Sequence, residues 1–287
     1  MNKITITDTF LKKLNRLKRP PKSLTYKGLD FPDYKDKPMV AIVGTRKPTP
    51  YGIYTTKLLA FGLAKQGIVI VSGLALGIDT ISHKACLEVG GQTIAVLPSG
   101  INNIYPATHM PIAKQIINSG GTLLSEYPDN HQPRKKEFHE RNRIIAALSD
   151  VVVIPEAALL SGSLNTAGHA RRMNIPILAV PGNVNSPMSA GTNSLLKQSA
   201  NIVTEVNDVL KLLQLNLKLN LERPKQLLIG DTPKQTAILK SLAGGTTQAE
   251  EIQIDTKLNT QEFQLAITML EINGIIESNG IGSWHIK

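Results

Sequence analysis

From Met39 onward the chain repeats one pattern. A short run of consecutive apolar residues is followed by a glycine-containing loop and then by apolar positions at helical spacing. The runs are Met39–Gly44, Ile68–Gly73, Thr93–Leu97, Thr122–Glu126, Val151–Pro155 and Ile177–Pro181, with a weaker one at Asn201–Thr204. A short run that is apolar throughout marks a strand buried on both faces. Between the runs the periodicity predicts helices near Gly52–Gln66, Ile78–Val89, His109–Ser119, Arg141–Leu148, Ser163–Met173 and Asn193–Gln198. Alternating strands and helices predict βαβ units, a mostly parallel sheet and an extended Rossmann-like, doubly wound α/β arrangement.

The pattern changes at both ends. Residues 1–37 read as a basic N-terminal arm, with a short helix near Asp8–Leu17 and an extended piece around Leu24–Tyr26. The Rossmann-like domain spans 38–213, and 214–230 reads as a linker. Residues 231–287 carry helical patterns at Thr232–Leu242, Thr247–Ile254 and Thr260–Asn273. Pro233 suits the first turn of the first helix, and Thr260 is placed to cap the third. Two short strands around Asn279-Gly280 follow, which is a hairpin signal. Three helices and a hairpin predict a small C-terminal winged-helix domain.

Composition narrows the class. With 41% apolar residues in 287, a sizeable core is available. No apolar run reaches about 18 residues, so no membrane span is expected, and the N-terminus lacks an apolar signal core. The single cysteine, Cys86, excludes an internal disulfide or a cysteine-based metal cluster and reads as a small core residue. These features predict a cytoplasmic protein. The net charge of +10 is unevenly spread. Residues 1–47 hold 12 Lys/Arg against 4 Asp/Glu, whereas residues 231–287 hold 4 against 7. A basic body suits a polyanion, and the acidic end suits phosphate contacts poorly.

Open α/β sheets bind ligands at the carboxyl ends of their strands. Four loops gather there: Gly44-Thr45-Arg46, Ser72–Asp79, Pro98–Gly100 and Ser161–Thr166. Each offers backbone N–H groups or hydroxyls near a helix start, as phosphate oxygens require, and each also reads as a plain strand-to-helix turn. Neither G-x-G-x-x-G nor G-x-x-x-x-G-K-[ST] is present, so dinucleotide and Walker A sites are not indicated. The segment Arg134–Pro155 runs from a basic loop, Arg134-Lys135-Lys136, into a helix that Arg141 and Arg143 open beside Asn142. Cations at a helix start oppose its dipole, so phosphate is one reading of them and a solvated turn the other. Phe138, in a chain only 4% aromatic, is read either as a plug for that loop or as a platform for an unpaired base. Asp79 and Glu126 are placed to act as bases, to cap a helix or to pair with Arg46. The histidines have no metal-ligand spacing, and no nucleophile has an evident activating base.

Taken in order, the motifs resemble the DprA/Smf family, DNA processing protein A. They include Val40–Arg46, Val71–Asp79, Gly91–Gly100 with Tyr105-Pro106, and Leu124–Pro128. Phe138–Ser149, Ser161–Ser163 with Thr166–Gly168, Ala179–Gly182 and Gly191–Asn193 complete the set. The resemblance covers about residues 38–213. It implies a non-catalytic, cofactor-free homodimer that binds single-stranded DNA, protects it and loads the RecA recombinase in natural transformation or recombination. It carries the binding site onto Gly44, Thr45, Arg46, Ser72, Gly73, Lys135, Phe138, Arg141 and Asn142, and the candidate set extends to Arg143, Ser163, Asn165 and Thr166. The acidic winged-helix domain is expected to contact protein. Only about 37 residues precede the first strand of the repeat, so the family's helical N-terminal domain is expected to be absent or vestigial. Two other readings remain. The Pro155–Thr166 loop distantly resembles that of lysine decarboxylase-like nucleotide phosphoribohydrolases, and a winged helix suits a regulator of duplex DNA.

Overall fold

The structure, a computed structural model, describes residues 2–5, 9–28, 34, 37–213, 232–280 and 282–286. The chain divides into two compact units, residues 1–220 and 221–287. The expected linker at 214–230 lies outside the described residues.

The first unit is built on a nine-stranded sheet. Its strands are β1 (Asn2–Thr5), β2 (Ser23–Gly28), β3 (Met39–Ile42), β4 (Val69–Ser72) and β5 (Thr93–Leu97), then β6 (Thr122–Ser125), β7 (Val151–Ile154), β8 (Ile177–Ala179) and β9 (Asn201–Ile202). The order is β1-β2-β6-β5-β4-β3-β7-β8-β9. All pairings from β6 across to β9 are parallel, whereas β1 and β2 add antiparallel at one edge. Each apolar run of the sequence is thus a strand, and the mostly parallel sheet is as the pattern predicts.

Successive side chains of these strands feed two cores. Ile94 and Val96 join one that includes Ile144, Ile145 and Leu148 of α4 (Lys135–Leu148). Ala95 and Leu97 join another with Ile112, Ala113 and Ile116 of α3 (Met110–Asn118). Two-sided burial is why the strands read as unbroken apolar runs. The remaining helices of this unit are α1 (Pro50–Lys65), α2 (Ile78–Leu87), α5 (Ser163–Arg172), α6 (Ala190–Lys197) and α7 (Val206–Leu212). The sequence pattern missed α7; Asp208 starts it by accepting from the Thr204 N–H at 2.9 Å.

The extended piece expected around Leu24–Tyr26 is a strand, and the expected start of the helix at Arg141 moves to Lys135. Leu24, Thr25 and Tyr26 are buried, and β2 pairs with β6 in register Thr25↔Ser125, so this part of the basic arm is sheet. Without β2, the strand β6 would carry an unpaired edge. The supposed basic loop at Arg134–Lys136 is the start of α4, which begins at Lys135. Its first turn is closed by Glu137, which accepts from the Arg134 N–H at 2.7 Å. Arg141 and Arg143 therefore sit in mid-helix and do not oppose the dipole.

The second unit has α8 (Pro233–Ala243), α9 (Ala249–Thr256) and α10 (Thr260–Ile272), then an antiparallel hairpin of β10 (Ile276–Gly280) and β11 (Ser283–Ile286). Ile238, Leu239, Leu242, Ile252, Phe263, Ile267 and Leu270 form its core. Thr232 caps α8, accepting from the Gln235 N–H at 3.2 Å. Asn259, rather than Thr260, caps α10, accepting from the Glu262 N–H at 2.9 Å. The register slips between Ser278 and Gly280, so Asn279-Gly280 ends a strand. Among the described residues, no helix is long and apolar enough to cross a membrane.

Candidate nucleic-acid interface

The chain lays β3, β4, β5 and β6 down in one direction, then places β7 on the other side of β3. The loops leaving β3 and β7 therefore diverge and leave a crevice at their carboxyl ends, where open α/β sheets bind ligands. A cavity of about 740 Å³ lies there.

The two loops are tied together at its rim. The Thr45 N–H donates to Glu156 O at 2.8 Å. The buried Glu156 carboxylate accepts from the Thr49 N–H at 2.8 Å and from its hydroxyl at 2.5 Å. Gly44 is required at this crossing, because a Cβ there would stand 2.6 Å from Ile78 Cγ1 and 2.7 Å from Glu156 O. So fixed, the loop leaves Arg46 exposed, with its guanidinium 5.3 Å from the centre of the Phe138 ring. That distance allows a cation–π contact. The Tyr105 ring meets Phe138 edge to face at 5.5 Å.

The helix α4 forms the facing wall. Lys135, Phe138, His139 and Asn142 recur at spacings of three and four, so they share one face and line the cavity. Lys135 is exposed, whereas Asn142 is buried and donates to Gly162 O at 3.3 Å. The start of α5 adds Ser163, Asn165 and Thr166, with the Ser161 and Ser163 hydroxyls 2.7 Å apart. Exposed cations, an aromatic face and small polar groups thus surround one hollow.

Arg141 lies at the cavity floor and is only 3% exposed. Its Nη1 donates to Gly73 O at 2.6 Å and also to Val96 O, and its Nε donates to Asn142 Oδ1 at 3.2 Å. Burial pulls its pKa down to about 10 against the pull of the Asp79 charge. Asp79 accepts from the Gly73 N–H at 3.1 Å. Burial pushes the Asp79 carboxyl above its ordinary range, and the Arg141 charge opposes that rise.

The structure brings most of the sequence candidates together. Gly44, Thr45, Arg46, Lys135, Phe138, Arg141 and Asn142 line the cavity, as do the three residues from α5. Ser72, Gly73 and Arg143 lie outside the lining. Ser72 is buried and donates to Ile42 O at 2.7 Å, joining β4 to β3. Gly73 lies under Arg141, where a Cβ would stand 2.5 Å from its guanidinium carbon. Arg143 binds both Glu126 oxygens at 2.5 Å and Arg19 O at 3.1 Å. Two residues apart on a helix is about 200° of rotation, so Arg141 and Arg143 cannot share a face. The expected pairing of Asp79 or Glu126 with Arg46 is replaced by Arg141 beside Asp79 and Arg143 on Glu126.

The Pro98–Gly100 loop acts from behind: the Gly100 N–H donates to His131 O at 2.9 Å and supports the segment entering α4. The lining also includes Tyr105, His139 and Leu160, which the sequence reading did not assign. His139 was legible as the residue four after Lys135, had α4 been started at its true origin. Cys86 is buried, and burial pushes its thiol up to about 12, consistent with a core residue.

Sheet and crevice define an open α/β protein whose candidate ligand site, at the topological switch point, is cationic and aromatic. The chain belongs to the DNA recombination-mediator protein A family, whose model matches residues 3–214. It is 44% identical to protein Smf of Escherichia coli over 178 residues, 62% of this chain and 48% of that protein. It is 35% identical to a putative DNA processing protein DprA of Mycobacterium tuberculosis, over 86% of this chain and 64% of the relative. The chain thus spans about half to two-thirds of the length of these relatives. Among solved structures, DprA of Streptococcus pneumoniae matches at TM-score 0.68 and 37% identity, covering 73% of each chain. The Helicobacter pylori DprA, described for its single-stranded DNA binding mode, matches at 0.66 and 39%, covering 75% of this chain and 96% of its own.

Proposed function

We propose that this chain is a cytoplasmic, non-catalytic recombination mediator that binds single-stranded DNA in the crevice, protects it and loads the RecA recombinase, acting as a homodimer. The observation that carries the reading is the grouping of Arg46, Lys135 and Phe138 on one cavity. Cations follow a phosphate backbone while a π-face takes an unpaired base, a combination suited to single strands over duplex. Membership of a family named for recombination mediation supports it, as does the likeness to the Helicobacter pylori protein.

In this reading Arg46 and Lys135 meet phosphates and Phe138 meets a base. Gly44, Thr45, Asn142, Ser163, Asn165 and Thr166 supply close backbone approach and hydrogen bonds. Arg141, Ser72, Gly73 and Arg143 hold the walls. Residues 231–287 act as a winged-helix accessory domain; their excess of acidic residues favours a protein contact there.

Fluorescence anisotropy of labelled oligo-dT and a matched duplex, with wild type and Arg46→Ala across a salt series, tests the reading. Preference for the single strand, lost in the variant and falling steeply with salt, is expected. Equal preference for duplex, or indifference to Arg46, refutes it. RecA filament assembly on protein-coated single strands, with and without this chain, tests loading. The nucleotide-hydrolysis reading predicts instead the release of free base from nucleoside monophosphates.

A further inference from the structure

One part of the cavity rim is exposed and apolar. Ala158–Ser161 is a tight turn closed by the Ser161 N–H, which donates to Ala158 O at 3.0 Å. Its two central residues are Leu159 and Leu160, 61% and 100% exposed, and Leu160 lines the cavity. Such positions favour glycine, asparagine, aspartate, proline or serine, and nothing local calls for leucine. The stem of the turn is fixed. The Gly191 N–H donates to Ala157 O at 2.8 Å, and a Cβ on Gly191 would stand 2.5 Å from that oxygen. On the far side the Ser161 hydroxyl is held by Ser163. Two leucines are thus presented to solvent on a braced stem, at the mouth of a cavity that also holds Phe138 and Arg46.

We propose that Leu160, with Leu159 beside it, forms an aliphatic subsite for a nucleobase, packing against one base of the bound strand and holding it off its neighbour. The proposal rests on the single-strand reading above. Phosphate and sugar gain little from leucine, whereas a base face does, and aliphatic side chains do wedge between base steps. A single strand offers such faces without unpairing. The subsite makes the site sensitive to the presence of bases, which Arg46 and Lys135 are not.

The test compares wild type, Leu160→Ala and Leu160→Phe on labelled oligo-dT and on an abasic oligomer of equal length, by anisotropy at low salt. Leu160 is fully exposed, so these variants leave the core untouched. Leu160→Ala is expected to weaken oligo-dT binding about fivefold, of the order of one lost base contact, and to leave abasic binding unchanged. Leu160→Phe, which also packs on a base, retains wild-type affinity. Equal weakening on both oligomers, or weakening on neither, overturns the proposal while leaving the single-strand reading intact. Wild type that binds neither oligomer removes that reading and the subsite with it.

Discussion

Replacing Arg141 with methionine separates two accounts of the same residue. In one account, carried over from the family resemblance, it contacts the bound strand; in the other, drawn from its burial and its bonds to Gly73 O and Val96 O, it is a strut. Methionine keeps much of the stem and removes the charge and the donors. Gly73 O and Val96 O then lose the Arg141 donor, and Asp79, 5% exposed, loses its neighbouring cation. Removing one member of a buried charged network costs about 3–5 kcal/mol, a large share of the roughly 5–15 kcal/mol that a domain has. The loss should also depend on pH. Burial already raises the Asp79 pKa and Arg141 restrains it, so the variant raises it further. A carboxyl whose pKa is higher folded than unfolded binds protons more tightly in the native state, so stability rises as pH falls through the folded value. The gap between wild type and variant should therefore be widest at neutral pH and narrow as pH falls toward the ordinary aspartate range. Urea unfolding followed by far-ultraviolet circular dichroism measures it; the single tryptophan, Trp284, belongs to the second unit and not to the nine-stranded sheet. A loss below about 1 kcal/mol with DNA binding abolished would refute the strut and return Arg141 to the ligand.

Other perturbations probe the same site. Gly73→Ala should destabilise by about 1–3 kcal/mol by crowding the Arg141 guanidinium, measured by the same unfolding transition. Arg46→Ala and Lys135→Ala should each lower the salt dependence of oligo-dT binding by about one phosphate contact without changing stability. Arg143→Ala should do the reverse, lowering stability by about 1 kcal/mol through loss of Glu126 while leaving the salt slope alone. Phe138→Ala should cost about 1–3 kcal/mol in single-strand binding, read by titration against oligo-dT, if the ring carries one stacked base.

The fold was legible because its signal is local. A parallel strand buried on both faces cannot hide its apolar run, and Val69–Ser72 or Val151–Ile154 announce themselves without partners. β2 was less legible. Its burial depends on pairing with β6, and Lys22 just before it and Lys27 within it give it the look of an exposed arm. α4 was misplaced because its first turn is polar and basic, and its start is set by the Glu137 cap rather than by apolar spacing.

Residue types alone determined that a cationic, phenylalanine-bearing segment and several small-residue loops meet at one end of a parallel sheet. The direction each cation faces was decided only in three dimensions. Arg46, Lys135, Arg141 and Arg143 are alike as sequence. Helical rotation sends Arg143 to Glu126, the glycine beneath it lets Arg141 sink onto Gly73 O and Val96 O, and the bound loop and the start of α4 leave Arg46 and Lys135 exposed. The charge of a guanidinium is written in the sequence. Whether it meets a ligand or the protein's own carbonyls depends on which acceptors the fold brings within about 3 Å of it.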